Sequence, residues 1–229
     1  MGLIMVSVVI PVYNERESKM RNLAQKADSY LEHNELCELI ISDDGSSKDC
    51  IGFLLQYMTY KGDRLKIVRN VHTGKWGAIR GGFLQASGEK VFLLDADLSV
   101  GFGYVLDHMF TRSNLLGNRY MHKDTKYPFK RVFFSKAFMV LRRIMTGVKY
   151  EDSQCPMKCI IKTQYSIQVF KKMRETGFIG DVEFLMLMRG VKFKEIPVRY
   201  IYIESGFNVW KNSWKMFLGL VRLMKRRFK

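Results

Sequence analysis

The feature that most limits what this chain can fold into is a repeated alternation of largely apolar, strand-like runs with segments of helical spacing. The apolar runs lie at Val6–Val12, Leu39–Ile41, Leu65–Val68 and Val91–Leu94. Helical patterns follow at 16–33 and 49–60, and a Gly-rich stretch at His72–Gly82 opens a third helix. Strands that are apolar on both faces are typical of a parallel sheet covered by helices on both sides. The sequence therefore predicts an α/β fold with a mostly parallel sheet.

Polar side chains follow three of these runs at the point where each strand ends. They are Asn14 and Glu15 after the first run, Asp43 and Asp44 after the second, and Asp95 and Asp97 after the fourth. Ligands of open α/β sheets bind at the carboxyl ends of the strands. We therefore expect these side chains to surround one ligand site.

Each group also has an ordinary structural interpretation. Asp95-Ala96-Asp97 is either a turn or helix cap, or a carboxylate pair that holds a hard divalent cation near a diphosphate. Asp43-Asp44-Gly45-Ser46 is either a turn or a carboxylate pair that meets a nucleoside. The segment Pro11-Val12-Tyr13-Asn14-Glu15 is either a strand end with a helix start, or the floor of a nucleotide site. Their shared position after apolar strands favours the functional interpretation.

The stretch Gly74–Gly82 carries two cations, Lys75 and Arg80, but lacks the spacing of a phosphate-binding P-loop. Its glycines indicate either close packing of a helix on the sheet or an approach of Lys75 or Arg80 to donor phosphates. Arg131 and Ser135 are four residues apart, so they share one face of a helix. That face is either a solvated basic surface or a site for a phosphate monoester.

The second half of the chain has more helix. Helices are expected at Phe129–Met145, Thr163–Glu175, Asp181–Arg189 and Val209–Phe228, and a strand at Val191–Tyr202. Asp181 and Glu183 begin the third of these helices, where carboxylates either favour the helix dipole or belong to a site. The 229 residues contain no obvious linker, so we expect a single domain.

The net charge of +16 is concentrated in residues 119–149, with a net of +8, and 207–229, with a net of +7. Both segments are rich in large apolar residues, which favours an anionic membrane surface over nucleic acid as the partner. In the second segment this apolar surface is expected to comprise Trp210, Trp214, Met216, Phe217, Leu220, Val221 and Met224. The alternative is core packing with a solvated basic side. No run of about 18 uncharged apolar residues occurs, so no transmembrane helix is expected. The four cysteines lack paired spacing, which predicts reduced thiols in a cytoplasmic protein.

Taken in order, these motifs resemble family 2 glycosyltransferases of the GT-A fold. More narrowly, the chain resembles the polyprenyl-phosphate (dolichyl-phosphate) glucosyl- and mannosyltransferases. The resemblance rests on the four N-terminal motifs above and continues through Gly117-Asn118-Arg119, Asp152-Ser153-Gln154-Cys155, Gly180-Asp181-Val182-Glu183 and Glu195-Ile196-Pro197-Val198. The helix at 209–228 is more similar to the glucosyl branch.

The resemblance implies an inverting transfer of a sugar, glucose from UDP-glucose, onto a polyprenyl phosphate at the cytoplasmic face of a membrane. It implies one GT-A domain over 1–229, with a nucleotide-sugar half at 1–98, an acceptor half at 99–206 and a basic amphipathic helix at 207–229. The implied partners are a nucleotide sugar, a polyprenyl phosphate and an anionic membrane surface, with no nucleic acid.

The resemblance also implies roles for single residues. The nucleotide sugar is expected at Pro11, Tyr13, Asn14, Glu15, Asp43, Asp44, Lys75, Arg80, Asp95, Ala96, Asp97 and Gln154. The acceptor phosphate is expected at Arg119, Arg131 and Ser135. Mg²⁺ or Mn²⁺ is expected at Asp95 and Asp97, with Asp97 as the direct ligand. The catalytic residues are expected to be Asp95, Asp97, Asp152, Asp181 and Glu183.

The sequence departs from the family pattern at Trp76, at Pro156-Met157 and at Phe207. Two other functions stay open. The first is a GT-A enzyme that acts on a hydroxyl of a glycan or glycolipid, with Asp181 or Glu183 as general base. The second is a basic protein that binds membranes or nucleic acid and keeps a degenerate nucleotide fold, which leaves the acidic strand ends unexplained.

Overall fold

The computed structural model describes residues 6–47, 49–60, 62–123, 129–200 and 209–227, without the side chains of 129–134 and 209–213. Its strands are β1 (Val6–Val12), β2 (Cys37–Asp43), β3 (Leu65–Arg69), β4 (Lys90–Leu93), β5 (Asn114–Asn118), β6 (Lys158–Ile161) and β7 (Phe193–Pro197). They form one sheet in the order β3-β2-β1-β4-β6-β5-β7. β6 is antiparallel to β4 and β5, and the other pairs are parallel. The predicted α/β fold with a mostly parallel sheet is confirmed.

Eight helices accompany the sheet in the described residues. They are α1 (Glu17–Glu32), α2 (Cys50–Tyr57), α3 (Lys75–Gln85), α4 (Gly103–His108), α5 (Phe129–Thr146), α6 (Gln164–Lys172), α7 (Gly180–Leu187) and α8 (Val209–Arg227). Sequence patterns did not indicate α4, β5 or β6. The strand expected at Val191–Tyr202 covers only β7 within the described residues, and β7 ends at Pro197, which has no N–H to donate to a sheet.

The strands are apolar on both faces because helices cover both. Val8 and Ile10 of β1 pack in a core with Leu23 and Leu31 of α1, whereas Val9 faces the opposite core. That second core contains buried residues of α3, α6, α7 and α8. Alternate residues of one strand therefore stabilise two separate helix layers.

Helix α3 approaches the sheet closely because of a glycine. A Cβ atom at Gly82 would lie 2.5 Å from Cγ1 of Val9 and 3.2 Å from Cβ of Ser42. This contact supports the packing interpretation of the Gly-rich stretch. It also fixes the first residue of the helix, Lys75, beside the carboxyl ends of β1 and β4.

Candidate active site

A cleft of about 800 Å³ opens at the carboxyl ends of β1, β2 and β4. Eight of the residues expected to bind a nucleotide sugar line it, namely Pro11, Tyr13, Glu15, Asp44, Lys75, Asp95, Ala96 and Asp97. The structure therefore brings three strand ends together around one space, and its volume is in the range of small-molecule sites.

The two carboxylates of the Asp95–Asp97 segment differ in their contacts. Asp95 Oδ1 accepts a hydrogen bond from Lys75 Nζ at 2.6 Å. Asp97 Oδ1 accepts from the backbone N–H of Ser99 at 2.9 Å, and Leu98 between them has a positive φ of 48°. The turn thus holds one carboxylate oxygen of Asp97 at the cleft. Asp95 and Asp97 offer only oxygen atoms as ligands, and these suit a hard divalent cation.

Lys75 is the cation nearest to this acidic pair. Burial opposes its charged form, but the neighbouring carboxylates of Asp95, Asp181 and Asp97 outweigh that effect and raise the pKa of Lys75 above its usual value. Lys75 is therefore a permanent positive charge at neutral pH.

Within the described residues, no group of three or more His, Cys, Asp or Glu side chains forms a metal-binding cluster. A cation at Asp95 and Asp97 would consequently need further oxygen ligands from water or from a bound substrate. That arrangement is typical of Mg²⁺ sites that share phosphate oxygens with a nucleotide.

Asp44 organises the loop that leads into α3. Its carboxylate accepts hydrogen bonds from the backbone N–H groups of Thr73 and Gly74 at 3.0 and 2.8 Å, and it contacts His72 Nδ1 at 2.9 Å. The His72 ring in turn stacks on Tyr13, with centroids 4.2 Å apart and an interplanar angle of 17°. Tyr13 and His72 both line the cleft, so this stack forms an aromatic wall.

Asn14 and Asp43 lie beside the cleft and do not line it. Asp43 Oδ1 accepts from the backbone N–H and the hydroxyl of Ser46, at 3.1 and 2.6 Å. The Ser46 hydroxyl also accepts from the backbone N–H of Asn14 at 2.9 Å. In this structure both residues shape the turn that supports the cleft.

The opposite wall was not expected from the sequence. It consists of residues 174–179, between α6 and α7, and of Lys215, Met216, Leu218 and Arg222 of α8. The loop carries no motif, and the pattern of α8 predicts either a membrane-facing helix or core packing with a solvated basic side. Lys215 and Arg222 of α8 therefore face the cleft, which local sequence patterns do not reveal.

Arg119 and Asp152 form one ion pair. The guanidinium donates from Nε to Asp152 Oδ2 at 2.7 Å and from Nη2 to Oδ1 at 2.8 Å, and the Arg119 backbone N–H donates to Oδ2 at 3.0 Å. Asp152 is buried. The residue expected to bind the acceptor phosphate is thus held in place by a residue expected to be catalytic.

Asp181 and Glu183 are also buried and paired. Asp181 Oδ1 accepts from Lys158 Nζ at 2.5 Å. Glu183 Oε2 accepts from the backbone N–H groups of Arg174 and Glu175 at 2.9 and 2.6 Å, and Oε1 accepts from Arg226 at 2.8 Å. Neither carboxylate lines the cleft.

Arg80, Gln154 and Ser135 do not line the cleft. Arg80 donates to the carbonyl of Met173 at 3.3 Å, and Gln154 donates to the carbonyl of Phe178 at 3.2 Å. The Ser135 hydroxyl is hydrogen-bonded to the Tyr120 hydroxyl. The side chain of Arg131 lies outside the described residues, so its expected role stays a prediction.

The departure at Trp76 has a structural reason. Its ring is buried between Phe184 and Phe170, with centroid distances of 5.3 and 6.1 Å. A Cβ atom at Gly180 would lie 2.5 Å from the indole, so the glycine makes room for it. Trp76 is therefore part of the core that supports Lys75.

Apolar side chains are exposed on two neighbouring helices, Val140, Leu141 and Ile144 on α5, and Trp214, Phe217 and Leu218 on α8. The sequence also placed Leu220 on this outer surface, and that expectation was wrong, because Leu220 is buried in the core. Trp210, also expected there, has its side chain outside the described residues. No helix in the described part of the chain has the length and hydropathy needed to cross a bilayer.

Comparison with known proteins identifies relatives of the whole arrangement. The family model described as Glycosyl transferase family 2 matches residues 7–171. A dolichyl-phosphate beta-glucosyltransferase of Trichomonas vaginalis is 25% identical over 236 residues, covering 95% of this chain and 72% of the relative. The human dolichyl-phosphate beta-glucosyltransferase is 28% identical over 235 residues, covering 91% of this chain and 71% of the relative.

A solved structure has the same fold. The crystal structure of Mycobacterium tuberculosis glucosyl-3-phosphoglycerate synthase with Mn²⁺, UDP-glucose and glycerol 3-phosphate superposes with a TM-score of 0.63 at 14% identity. The match covers 97% of this chain and 80% of the synthase. It confirms the GT-A fold expected from the sequence.

Proposed function

Because the chain belongs to glycosyltransferase family 2 and is therefore an enzyme, we propose that it transfers glucose from UDP-glucose to the phosphate of a polyprenol. The observation that carries this proposal is the cleft, which combines paired carboxylates, an aromatic wall and several cations at the carboxyl ends of three strands. The dolichyl-phosphate beta-glucosyltransferases that align with most of the chain support the choice of sugar and acceptor.

The proposed chemistry needs no strong base. A phosphate oxygen of the acceptor attacks the anomeric carbon of glucose while the bond from that carbon to the donor diphosphate breaks, so UDP leaves with the electron pair and the configuration inverts. A phosphate monoester with a second pKa of about 6 is mostly dianionic at neutral pH and has no proton to lose. Catalysis then consists of positioning the reactants and stabilising charge on the leaving diphosphate.

The cleft fits a divalent cation as part of this chemistry. Asp97, and Asp95 beside it, would hold Mg²⁺ or Mn²⁺, which prefer oxygen ligands. When bound, the cation neutralises negative charge on the diphosphate. Lys75 contributes a second positive charge at the same end of the cleft, since Asp95 holds its ammonium there.

Two further cations favour a substrate rich in phosphate. Lys215 and Arg174 line the cleft, and neither side chain has an ion-pair partner among the described residues. In the proposal they attract the donor diphosphate and the acceptor phosphate, with Arg119 held by Asp152 on the acceptor side.

The contacts of Asp181 and Glu183 argue against a hydroxyl acceptor. A general base needs a free carboxylate oxygen within reach of the substrate hydroxyl. Lys158 binds Asp181, while Glu183 has both oxygens hydrogen-bonded, and neither residue lines the cleft. A phosphate acceptor is the better match because it requires no such base.

The exposed apolar side chains of α5 and α8 support a site of action at an anionic membrane surface. Trp214, Phe217 and Ile144 would enter the lipid interface, and Arg143 and Lys225 on the same helices would meet lipid phosphates. Sedimentation with vesicles tests this part. We expect binding to vesicles that contain phosphatidylglycerol and little binding to pure phosphatidylcholine, and equal binding to both would contradict the proposal.

Sugar transfer by the purified protein tests the proposed reaction. A short polyprenyl phosphate, and in parallel a glycolipid with free hydroxyl groups, is offered with UDP-glucose, UDP-galactose, UDP-GlcNAc or GDP-mannose, in the presence of Mg²⁺, Mn²⁺ or EDTA. We expect glucosylated lipid from UDP-glucose alone, and no product in EDTA. Product from another donor would overturn the choice of sugar, and product on a hydroxyl acceptor alone would overturn the choice of acceptor.

A further inference from the structure

Helix α8 meets three different environments along its described length. Leu220 and Leu223 are fully buried in the core shared with α3, α6 and α7. Lys215 and Arg222 line the cleft, and Trp214 is exposed on the outer side. One helix therefore links the interior, the candidate active site and the outer surface.

The contact between α8 and the cleft is an ion-pair network centred on Glu175. Arg222 donates from Nε to Oε1 at 3.1 Å and from Nη2 to Oε2 at 2.8 Å, and Arg226 Nη2 lies 3.3 Å from Oε1. Glu175 is 8% exposed, so its charge is stabilised mainly by these two guanidinium groups.

Glu183 extends the network into the loop at 174–179. It accepts from the backbone N–H groups of Arg174 and Glu175 and binds Arg226 with its other oxygen. The helix and loop are also in close contact, because a Cβ atom at Gly219 would lie 2.9 Å from Ile179. The loop is thus fixed to α8 by charge and by packing.

The same loop supports the start of α3. The carbonyl oxygen of Thr176 accepts from the backbone N–H of Trp76 at 2.8 Å. A Cβ atom at Gly74 would lie 2.7 Å from that oxygen, so the two segments touch on both sides of Lys75. Lys75 in turn binds Asp95. Direct contacts therefore run from α8 through Glu175 and Thr176 to the acidic end of the cleft.

We propose that Glu175 is a positioning residue, which joins α8 to the start of α3 and so sets the place of Lys75 for binding the donor diphosphate. This inference rests on the proposed function, in which Lys75 and Asp95 meet that diphosphate. It gives α8 a role in donor binding beside any contact it makes with a lipid surface.

Steady-state kinetics of Glu175→Gln tests the proposal, with Glu35→Gln, the same change at an exposed position before β2, as the matched control. Loss of the charge at position 175 frees Arg222 and lets the start of α3 shift, so Lys75 meets the donor diphosphate less well and we expect KM for the donor to rise by about tenfold or more. We expect KM for the acceptor to stay within about twofold of the parent, since Arg119 on the proposed acceptor side is held by Asp152. A purely structural role would lower the active fraction, and therefore kcat, with KM for the donor unchanged.

Arg222→Lys supplies a conservative comparison. It keeps the positive charge but loses the two-pronged contact with Glu175, so its donor KM should lie between those of the parent and of Arg222→Gln. A donor KM that is unchanged from the parent in both Arg222→Lys and Arg222→Gln would overturn the proposal.

Amide hydrogen exchange provides a test that needs no substrate. Glu175→Gln should speed exchange in residues 174–177 and also in residues 75–79, whereas Glu35→Gln should change neither. Faster exchange confined to 174–177 would overturn the inference. If the parent enzyme transfers from none of the offered donors, the proposed function fails, and the exchange at 75–79 still decides whether Glu175 positions the start of α3.

Discussion

The cleft and the interior beside it use their lysine–aspartate pairs differently. Lys75 and Asp95, at the cleft, have side chains that are 25% and 33% exposed. Lys158 and Asp181, behind it, form a pair of similar length with side chains that are only 2% and 7% exposed. The residue types and distances are alike, but one pair faces the space where a substrate would bind and the other is enclosed by protein.

This difference in exposure separates two roles. A partly exposed ion pair contributes only about 0–1 kcal/mol to stability, so its partners can turn to a ligand at little cost. Breaking a buried pair by removing one partner costs about 3–5 kcal/mol, because the other charge stays buried without compensation. We infer that the cleft-side pair serves binding and that the enclosed pair serves the scaffold.

The largest effect should come from Asp97, the carboxylate we assign to the cation. Asp97→Asn should lower kcat by about 10²–10³-fold, comparable to removing one group that stabilises transition-state charge. Asp107→Asn, an equal change at an exposed position of α4, is the control. Transfer assays and thermal unfolding of both variants measure the effect. An active Asp97→Asn enzyme would remove Asp97 from the cation site.

A second test applies the same substitution to the two lysines. Lys158→Met should lower the free energy of unfolding by about 3–5 kcal/mol, since Asp181 would keep a buried, unpaired charge. Lys75→Met should change it by less than about 1 kcal/mol and should instead weaken donor binding. Urea denaturation and donor titration give the two quantities.

Lys158→Met combined with Asp181→Leu serves as the control for folding. Removing both charges should recover most of the lost stability, because no uncompensated charge then stays in the interior. The comparison between the two pairs would break down if Lys75→Met were the more destabilising of the single variants.

Two buried thiols next to Lys158 should also make the stability of the protein depend on pH. Burial raises the pKa of Cys155 and of Cys159 from 9.0 to about 12. Above about pH 9 the unfolded chain loses thiol protons that the native protein keeps, so the free energy of unfolding falls as pH rises from 9 towards 12. The slope is at most about 1.4 kcal/mol per pH unit for each thiol. Urea denaturation between about pH 8 and pH 10.5 measures this decline. The free energy of unfolding should fall less steeply with pH in the double variant Cys155→Ala/Cys159→Ala than in the parent. Equal slopes in the two proteins would show that these thiols do not cause the pH dependence.

The first four strands and the cleft they form were predictable because their signals are local. Each is a short apolar run, and the polar residues Glu15, Asp44 and Asp95 follow three of these runs. Because β2, β1 and β4 are neighbours in the sheet, their carboxyl ends lie side by side. β5 was missed because its sequence, NLLGN, has only two large apolar residues between asparagines and a glycine. β6 was missed because its three apolar residues lie between two lysines.

The opposite wall could not be predicted because its signals are long-range. Arg222 contacts Glu175 at a separation of 47 residues, and Arg226 contacts Glu183 at 43. Within α8 both arginines belong to a basic pattern that equally suits a lipid surface, and the loop around Glu175 carries no motif. Only the folded chain shows that these arginines turn inward.

The smallest predicted effect concerns the aromatic wall of the cleft. An aromatic stack contributes about 0.5–1.5 kcal/mol beyond its buried area, so Tyr13→Leu should raise KM for the donor by about two- to tenfold. The reason is that the Tyr13 ring holds His72, which also binds Asp44 at the turn before α3. Phe110→Leu, at an exposed aromatic outside the cleft, should leave KM unchanged. An unchanged donor KM in Tyr13→Leu would mean that donor binding does not depend on this aromatic wall. Donor binding at this side of the cleft would then rest on the charges of Lys75, Asp95 and Asp97.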